Sequence, residues 1–395
     1  MPIKETAKGP IITSLELTPL QVPFKQVVRE AMQQAGGLGM AIPAEEEWTG
    51  GDFAICKITD EEGNTGLGEQ FVWWPETGAS PKQIILAVQE ALYKYVLGQS
   101  PFNYKNIRIR MNNNVARSET AKGLLDMALW DLMGKVKKKP SCELMGGRQT
   151  NTLELCALVP LMDARSMADM ACGWKQSGYR TIRLKLGNSV KCDIEIIRQA
   201  RERLGANTRI RVDYNQAYRP EEAVEAIKAI EPYDIELAEQ PVASIDFMGM
   251  AYVQQRVNVP LMSHEGCFSL QDIDTLIALK AVRIIGINSE RPGGVTNALE
   301  AISNATSHGL GVVIHNQTLG IADAMMIHLA AANHSSLGHD IELFGNIMYE
   351  DDLIIKPLNF NGGRVNVPAG PGWGVELDNN ALERYATGPT VVIKL

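Results

Sequence analysis

The sequence predicts an α/β protein in which a closed (β/α)8 barrel follows a smaller α+β domain. After Thr150, eight short apolar runs rich in β-branched residues are each followed by a helix-patterned segment, and a closed parallel barrel requires eight such units. An open, doubly wound sheet is the alternative, but no glycine-rich phosphate-binding turn follows the first run. The 395 residues of the chain are enough for about two domains.

The eight predicted barrel strands are nearly continuous apolar runs, as expected where both faces of a parallel sheet are buried. We expect the barrel domain to span residues 150–350. The predicted strands lie at residues 153–159, 181–186, 209–213, 235–240, 259–264, 282–288, 310–315 and 339–344.

The residues before the barrel predict a capping domain at 1–140. An antiparallel meander is expected over residues 11–75, and an amphipathic helix over 119–140, ended by Pro140. The long segment from Val22 to Gly51 interrupts the meander and is predicted to be a loop that forms a lid over a site, with a disordered insertion as the alternative. Residues 351–395 are predicted to return to the capping domain.

Composition and charge exclude several classes of protein. The formal net charge is −8, so a nucleic acid is not an expected partner. The sequence contains no run of about 18 apolar residues that could span a bilayer, and its first residues lack the apolar core of a signal peptide. Six scattered cysteines without a C-x-x-C pair do not indicate a disulfide framework or a zinc site. A cytoplasmic location is expected.

Acidic residues end three consecutive predicted barrel strands. Asp213, Glu239 and Glu265 lie one strand-helix unit apart, and the carboxyl ends of barrel strands meet at one mouth, where catalytic sites lie. Three clustered carboxylates repel one another unless a cation joins them. All-oxygen ligands favour Mg²⁺, with Mn²⁺ as a substitute. The alternative is that the three are unrelated surface acids. Asn215 and His264 lie beside these acids in the sequence and are expected to contact the substrate.

Basic side chains are predicted at the same mouth. Arg183 and Lys185 are two residues apart on one strand and therefore point to the same face. They could bind a substrate carboxylate, with Lys185 as a base, or form ion pairs in the core. His315 ends the strand across the barrel, and a structural histidine is the alternative there. Asn288 ends the sixth strand and Glu342 lies on the eighth, where it could contact a substrate oxygen.

These motifs together resemble the mandelate racemase/muconate lactonizing enzyme group of the enolase superfamily. The resemblance spans nearly the whole chain and rests on five segments in order. They are ALWDLMGKVKKKPSCELMGG at 128–147, VDYNQ at 212–216, EQP at 239–241, PGGVTNAL at 292–299 and GIADAMMIHLAAA at 320–332. The resemblance implies Mg²⁺-dependent removal of the proton α to a carboxylate, which gives a metal-stabilised enediolate.

The resemblance also implies residue roles. Asp213, Glu239 and Glu265 match the metal ligands, and Glu265 takes the ligand position better than His264. Lys185 matches the second lysine of the Lys-x-Lys base motif, and His315 matches the base on the seventh strand. Glu342 matches the acid that hydrogen-bonds a substrate carboxylate oxygen in the racemase.

Two departures from the family pattern affect these roles. Arg183 replaces the first lysine of the motif, so a positive charge is kept but a base is lost. Asn288 stands where the racemase has an aspartate that orients its histidine. An amide can orient an imidazole but cannot stabilise its cation as a carboxylate does, so His315 is expected to be a weaker base, or an acid for a leaving group.

The expected reaction begins with proton abstraction, and several outcomes stay open. Dehydration of a hydroxylated acid, such as an acid sugar, is the first hypothesis, by a lyase. Racemisation or epimerisation of a 2-hydroxy or related acid is the alternative, by an isomerase. Cycloisomerisation is disfavoured because the sixth strand lacks the expected lysine, and a metal-binding scaffold without turnover comes from a different class.

The lid residues are expected to contact the substrate, which is a small-molecule carboxylate. An apolar wall could come from Phe24, Trp48, Trp73 and Trp74. Gln33, Gln34 and Glu47 could contact hydroxyl groups. The alternative for the aromatic residues is a place in the core. The adjacent residues Trp73 and Trp74 are predicted to lie in a strand. Exposed apolar surface on the first domain predicts a symmetric homo-oligomer.

Overall fold

The computed structural model describes residues 9–34, 40–41 and 48–395. Its strands are β1 Ile12–Pro23, β2 Gly50–Asp60, β3 Thr65–Val72, β4 Thr152–Glu154, β5 Cys156–Val159, β6 Thr181–Lys185, β7 Arg209–Asp213, β8 Ile235–Glu239, β9 Leu261–Ser263, β10 Ile284–Ile287, β11 Gly311–Asn316, β12 Glu342–Leu343, β13 Phe360–Asn361, β14 Arg364–Asn366 and β15 Val391–Lys394.

The helices connect and surround these strands. They are α1 Gln26–Gln34, α2 Trp74–Thr77, α3 Pro81–Ala87, α4 Tyr104–Asn114, α5 Glu119–Lys137, α6 Ser141–Leu144, α7 Ala164–Gln176, α8 Val190–Leu204, α9 Pro220–Ile230, α10 Phe247–Gln254, α11 Leu270–Ala278, α12 Gly294–Ser307, α13 Gly320–Ala332, α14 His334–Leu337, α15 Gly345–Met348 and α16 Asn379–Tyr385. A π-helical turn spans Val88–Leu92, and 3₁₀ turns span Tyr93–Tyr95, Pro101–Asn103 and Glu231–Tyr233.

The predicted barrel is confirmed. β5 to β12 form one eight-stranded sheet in chain order, and the pairs between neighbours are parallel. The sheet closes where Cys156 N donates to Ile341 O at 2.8 Å. Each predicted apolar run overlaps one of these strands. Helices α7 to α13 alternate with the strands. Capping side chains fix where several of these helices begin, as Asp163, Ser189 and Ser269 do for α7, α8 and α11.

The capping domain is built on an antiparallel sheet of order β15-β1-β2-β3. The pairing of β15 with β1 brings the C-terminal strand back to this sheet, as in Ser14 opposite Lys394. That pairing supports the division at 1–140, 150–350 and 351–395, which we keep as a proposal. A smaller sheet of order β13-β14-β4 lies beside the start of the barrel.

Helix α5 lies between the capping sheet and the barrel, and its predicted amphipathic character is wrong. Every residue from Thr120 to Gly134 is buried, because one face packs on β3 and another on α12. Gly66 and Gly68 allow the close approach of α5, since a Cβ atom at either residue would collide with a backbone carbonyl of that helix.

Two predictions for the lid region are also corrected. The segment after β1 is not a continuous loop, because α1 occupies Gln26–Gln34. Between α1 and Gly51, the structure describes residues 40–41 and 48–51. Trp73 and Trp74 are not in a strand, because β3 ends at Val72 and α2 begins at Trp74. Among the described residues, no helix has the length and apolar character needed to cross a membrane.

Candidate active site and metal centre

Strand register places the candidate catalytic residues side by side at one end of the barrel. Lys185 pairs with Asp213, and Asp213 pairs with Glu239, so three neighbouring strands end in charged side chains. On the far side of the ring, His315 pairs with Glu342. All five side chains are buried. The prediction that parallel strands carry these residues to one mouth therefore holds.

Lys185 is held by two oxygen atoms at this mouth. Its Nζ donates to Asp213 Oδ2 at 2.6 Å and to Asn215 Oδ1 at 2.5 Å. Asn215 in turn donates from Nδ2 to Glu265 Oε1 at 3.2 Å, and its own backbone N–H reaches Asp213 Oδ1 at 3.0 Å. The amide of Asn215 therefore links Lys185 to Glu265, which follows β9. The predicted contact of Asn215 with substrate stays a prediction.

Arg183 lies deeper in the barrel and faces three carboxylates. Its Nη1 atom is 2.6 Å from Glu239 Oε2, 3.4 Å from Asp213 Oδ2 and 3.1 Å from Glu342 Oε2. Burial opposes the charged form of Arg183, but the acids, with Glu239 first, raise its pKa overall. The side chain thus carries a permanent positive charge among the acids, as the replacement of the family lysine by arginine predicts.

Glu342 is held by two arginines. Arg211 Nη1 donates to its Oε1 at 2.7 Å, while Oε2 faces Arg183. The carboxylate is fully buried between these cations. Its predicted hydrogen bond to a substrate oxygen stays a prediction.

The acids on β8 and after β9 form a group that could hold a divalent cation. Ligand atoms of Glu239, His264 and Glu265 lie within 4.8 Å of one another. Glu239 Oε1 and Glu265 Oε2 are buried without a hydrogen-bond partner, and burial, followed by the charge of Asp213, raises the pKa of Glu265. Free carboxylate oxygens in a buried anionic cluster fit a hard cation such as Mg²⁺.

His315 and His264 face each other across the mouth. Their ring centroids are 4.2 Å apart, and His315 Nδ1 is buried without a hydrogen-bond partner. Burial, then His264, Arg183 and Lys185, lowers the pKa of His315 well below its usual value. The ring is therefore neutral near neutral pH, which is the form that can accept a proton.

Asn288 contacts His264, which corrects the prediction that it orients His315. Its Nδ2 atom lies 3.2 Å from His264 Nε2 and donates to Glu290 Oε1 at 2.7 Å. Arg291 is a further neighbour, because its Nη2 atom is 3.3 Å from the same His264 nitrogen. Burial and Arg291 lower the pKa of His264 to about 3, so this ring is also neutral.

A cavity of about 360 Å³ opens beside Arg183 and Lys185. Its wall is mainly apolar and comes partly from α1 and partly from the barrel mouth. Apart from the two cations, the lining residues are Val27, Val28, Ala31, Met32, Met40, Trp48, Leu158, Pro160, Met170, Trp174, Gln317, Ile347 and Met348. Most of them were missed at the sequence level, although the spacing of Val27, Val28, Ala31 and Met32 is that of one helix face.

The predicted aromatic lid residues have different places. Trp48 lines the cavity and stacks on Trp73, with ring centroids 4.6 Å apart. Phe24 is fully buried and packs edge-on against Trp48 at 4.9 Å, so it supports the wall rather than lining it. Trp74 is 57% exposed and is not among the lining residues, which corrects its expected role. Glu47 and the side chain of Gln34 lie outside the described residues.

The fold and the charged barrel mouth define the class of protein. Residues 166–381 match the family model described as enolase C-terminal domain-like, and residues 26–146 match the model of the mandelate racemase / muconate lactonizing enzyme N-terminal domain. The chain therefore belongs to the mandelate racemase/muconate lactonizing enzyme family of the enolase superfamily. This confirms the resemblance found in the sequence.

Individual relatives are isomerases by name. The hydrophobic dipeptide epimerase of Enterococcus faecalis is 32% identical over 74% of this chain and 82% of its own length. The solved structure of N-succinyl Arg/Lys racemase from Bacillus cereus has a TM-score of 0.88 at 25% identity and covers 97% of this chain and 100% of that one.

A structure of the Enterococcus faecalis V583 dipeptide epimerase, complexed with Mg and the dipeptide L-Leu-L-Tyr, has a TM-score of 0.83 at 27% identity and covers 92% of this chain and 99% of that one. These names are those of epimerases and a racemase, and none of them is that of a dehydratase. The comparisons thus favour the alternative of racemisation or epimerisation over the first hypothesis, the dehydration of an acid sugar.

Proposed function

We propose that this protein is a Mg²⁺-dependent racemase or epimerase that inverts the carbon α to a carboxylate in an N-acylated amino acid or a dipeptide. The observation that carries the proposal is the pair formed by Lys185 and His315, which extend from strands on different sides of the barrel into one charged mouth. Inversion needs one group to remove a proton from one face of the carbon and a second group to supply a proton to the other face.

The two groups have suitable starting states. His315 is neutral with an unpartnered Nδ1 atom, so it can accept the α-proton from its side. Lys185 is bound to Asp213 and Asn215 and can deliver a proton from the opposite side. In the reverse direction the roles exchange, so that Lys185, left neutral by the forward reaction, accepts a proton and His315 delivers one. Asp213 and Asn215 hold the amine in place in both directions.

The cation would be held by Asp213, Glu239 and Glu265, and Mn²⁺ is the expected substitute for Mg²⁺ there. When bound, it supplies positive charge that offsets the negative charge developing on the substrate carboxylate. The permanent charge of Arg183 acts in the same direction from beneath the site. Burial of the whole cluster strengthens these interactions, because charges interact more strongly where water is excluded.

The cavity beside Lys185 supports an apolar substrate side chain. A polyhydroxylated acid bound there would place hydroxyl groups against Trp48, Met170 and Leu158, and each hydroxyl buried without a partner costs roughly 1–3 kcal/mol. An apolar side chain gains from the same burial. This argument disfavours an acid sugar. The names of the dipeptide epimerase and the N-succinyl amino acid racemase support an acylated amino acid instead.

The test is a substrate panel in D2O with Mg²⁺, followed by proton NMR and by chiral separation. The panel contains N-succinyl amino acids and dipeptides with apolar or charged side chains, together with acid sugars. We expect loss of the α-proton signal together with inversion, fastest for apolar side chains. Formation of a keto-deoxy product from an acid sugar, or no exchange in any acylated amino acid, would contradict the proposal. A Lys185→Ala variant controls for contaminating activity.

Three further properties stay predictions from the sequence. The homo-oligomer can be checked by light scattering of the purified protein. The absence of a nucleic acid partner and the cytoplasmic location rest on charge and composition alone.

A further inference from the structure

The side-chain amide of Asn288 has only one orientation that satisfies its neighbours. The backbone N–H of Arg291 donates to Asn288 Oδ1 at 2.8 Å, and a backbone N–H can only donate. The nitrogen Nδ2 must therefore be the atom that faces Glu290 Oε1 at 2.7 Å and His264 Nε2 at 3.2 Å. Asn288 thus presents an N–H group to the imidazole.

A second donor faces the same imidazole nitrogen. Arg291 Nη2 lies 3.3 Å from His264 Nε2, and a guanidinium has donors only. Arg291 is itself fully buried and anchored at 2.9 Å to Glu76, which belongs to α2 of the capping domain. Because two donors face Nε2, this nitrogen accepts and carries no proton, so the ring proton is on Nδ1.

The protonated nitrogen faces the candidate metal ligands. His264 Nδ1 lies 3.1 Å from Glu239 Oε1, a charge contact outside hydrogen-bond geometry, and 3.9 Å from Glu265 Oε2, which is beyond hydrogen-bond distance. A nitrogen that carries a proton has no lone pair for a cation. In this tautomer His264 cannot bind a cation through Nδ1, although the distance of its ring from Glu239 and Glu265 alone would permit that role.

We propose that His264 is a positioning residue, whose Nδ1–H group attracts Glu239 Oε1 electrostatically at 3.1 Å and so keeps that carboxylate in place, while Asn288 and Arg291 hold the ring in that tautomer. The inference rests on the proposed function insofar as Glu239 binds the cation. It also accounts for asparagine at position 288. A carboxylate there would accept from Nε2, which would move the ring proton and turn the lone pair of Nδ1 toward Glu239.

The tautomer can be measured directly in the full-length protein. Nitrogen-15-labelled histidine distinguishes Nδ1–H from Nε2–H rings in long-range proton–nitrogen spectra, and the signal of His264 among the six histidines is assigned from its loss in His264→Asn. We expect the Nδ1–H pattern without metal and after saturation with Mg²⁺. An Nε2–H pattern in either state, or direct coupling of Nδ1 to bound cadmium-113, would overturn the proposal.

Cation affinity provides the second test. An asparagine side chain places its amide N–H close to the position of histidine Nδ1, so His264→Asn should bind Mg²⁺ within about threefold of the parent in calorimetry, whereas His264→Ala should bind about 10–100-fold more weakly. Equal weakening in both variants would contradict the proposal. Asn288→Asp should shift the His264 spectrum to the Nε2–H pattern, and an unchanged pattern would count against the role of Asn288.

The outcome is separable from that of the proposed function. The spectra and the binding measurements use no substrate. An Nδ1–H ring with the expected affinities, in a protein that inverts no acylated amino acid, would uphold the positioning role and reject only the racemase. Racemisation together with an Nε2–H ring would do the reverse.

Discussion

Replacing Glu69 with glutamine should loosen the segment that follows His315. Glu69 lies on β3 of the capping sheet and is fully buried. Its carboxylate accepts three backbone N–H groups at the start of α13, from Leu319 at 2.6 Å, Ile321 at 3.2 Å and Ala322 at 3.1 Å. The capping domain therefore fixes the barrel loop that follows the strand of the candidate base.

The magnitude follows from the number of donors. Glutamine has one acceptor oxygen, and its NH2 group would face N–H groups, so at least one backbone donor loses its partner. Burial raises the pKa of Glu69 to about 8, whereas the three backbone donors favour its charged form. The donors that lose a partner are neutral N–H groups, so the range for neutral groups applies. One unpaired buried N–H costs roughly 1–3 kcal/mol, which corresponds to about a 5–150-fold loss of amide protection.

Hydrogen–deuterium exchange measures this loss in a peptide that covers residues 316–322. Substrate exchange in D2O gives a second readout, because each enantiomer reports one face of the site. We expect Glu69→Gln to slow the His315 face more than the Lys185 face. Unchanged protection of the 316–322 peptide, or equal slowing of both faces, would refute the reasoning.

Asp131→Asn is the matched control for this variant. Asp131 is equally buried and also accepts two backbone N–H groups, from Leu67 at 2.8 Å and Trp373 at 2.7 Å. Its substitution should lower the stability of the protein to a comparable extent while leaving the ratio of the two exchange rates unchanged.

Three other predictions concern the chemistry and the cavity. Lys185→Ala and His315→Asn should each slow inversion by about 10²–10⁴-fold, yet each should still exchange the α-proton of one enantiomer in D2O, a different one in each variant, as NMR can show. Removal of divalent cations by EDTA should abolish exchange and Mg²⁺ should restore it, whereas Glu265→Gln should weaken Mg²⁺ binding in calorimetry, because a charged ligand is lost. Trp48→Ala should lower kcat/KM for substrates with apolar side chains by about tenfold or more, since cavity contacts are lost, with little change for small side chains; an equal loss for all substrates would show that Trp48 acts elsewhere.

The barrel and its charged mouth could be predicted from the sequence because both depend on local order along the chain. A strand-helix rhythm repeats from residue 153 onward, and the parallel topology then carries Asp213 and Glu239 to one end. The helix in the lid was missed because its apolar face was hidden in a segment rich in glycine and glutamine. Side-chain direction was harder still, as Trp74 shows by pointing to solvent.

The partner of Asn288 could not be inferred from its position at the end of a strand. A comparison with the family pattern pairs this residue with His315, but the buried neighbours Glu290 and Arg291 decide how the amide turns. The sequence did not indicate that Glu290 and Arg291 are buried, because a charged pair after a strand usually lies in solvent. Only the packing of the capping domain over this loop buries them.

The capping domain therefore does more than close the barrel mouth over a substrate. Glu69 holds the loop after β11, which follows His315, and Glu76 holds Arg291 in the loop after β10, which sets the ring of His264. Both acids are buried at their contacts, so removal of either leaves unpaired donors that water does not reach. Because the two loops flank the mouth from neighbouring strands, a change in the capping sheet far from the substrate should alter base orientation and cation binding separately, through Glu69 and Glu76 respectively.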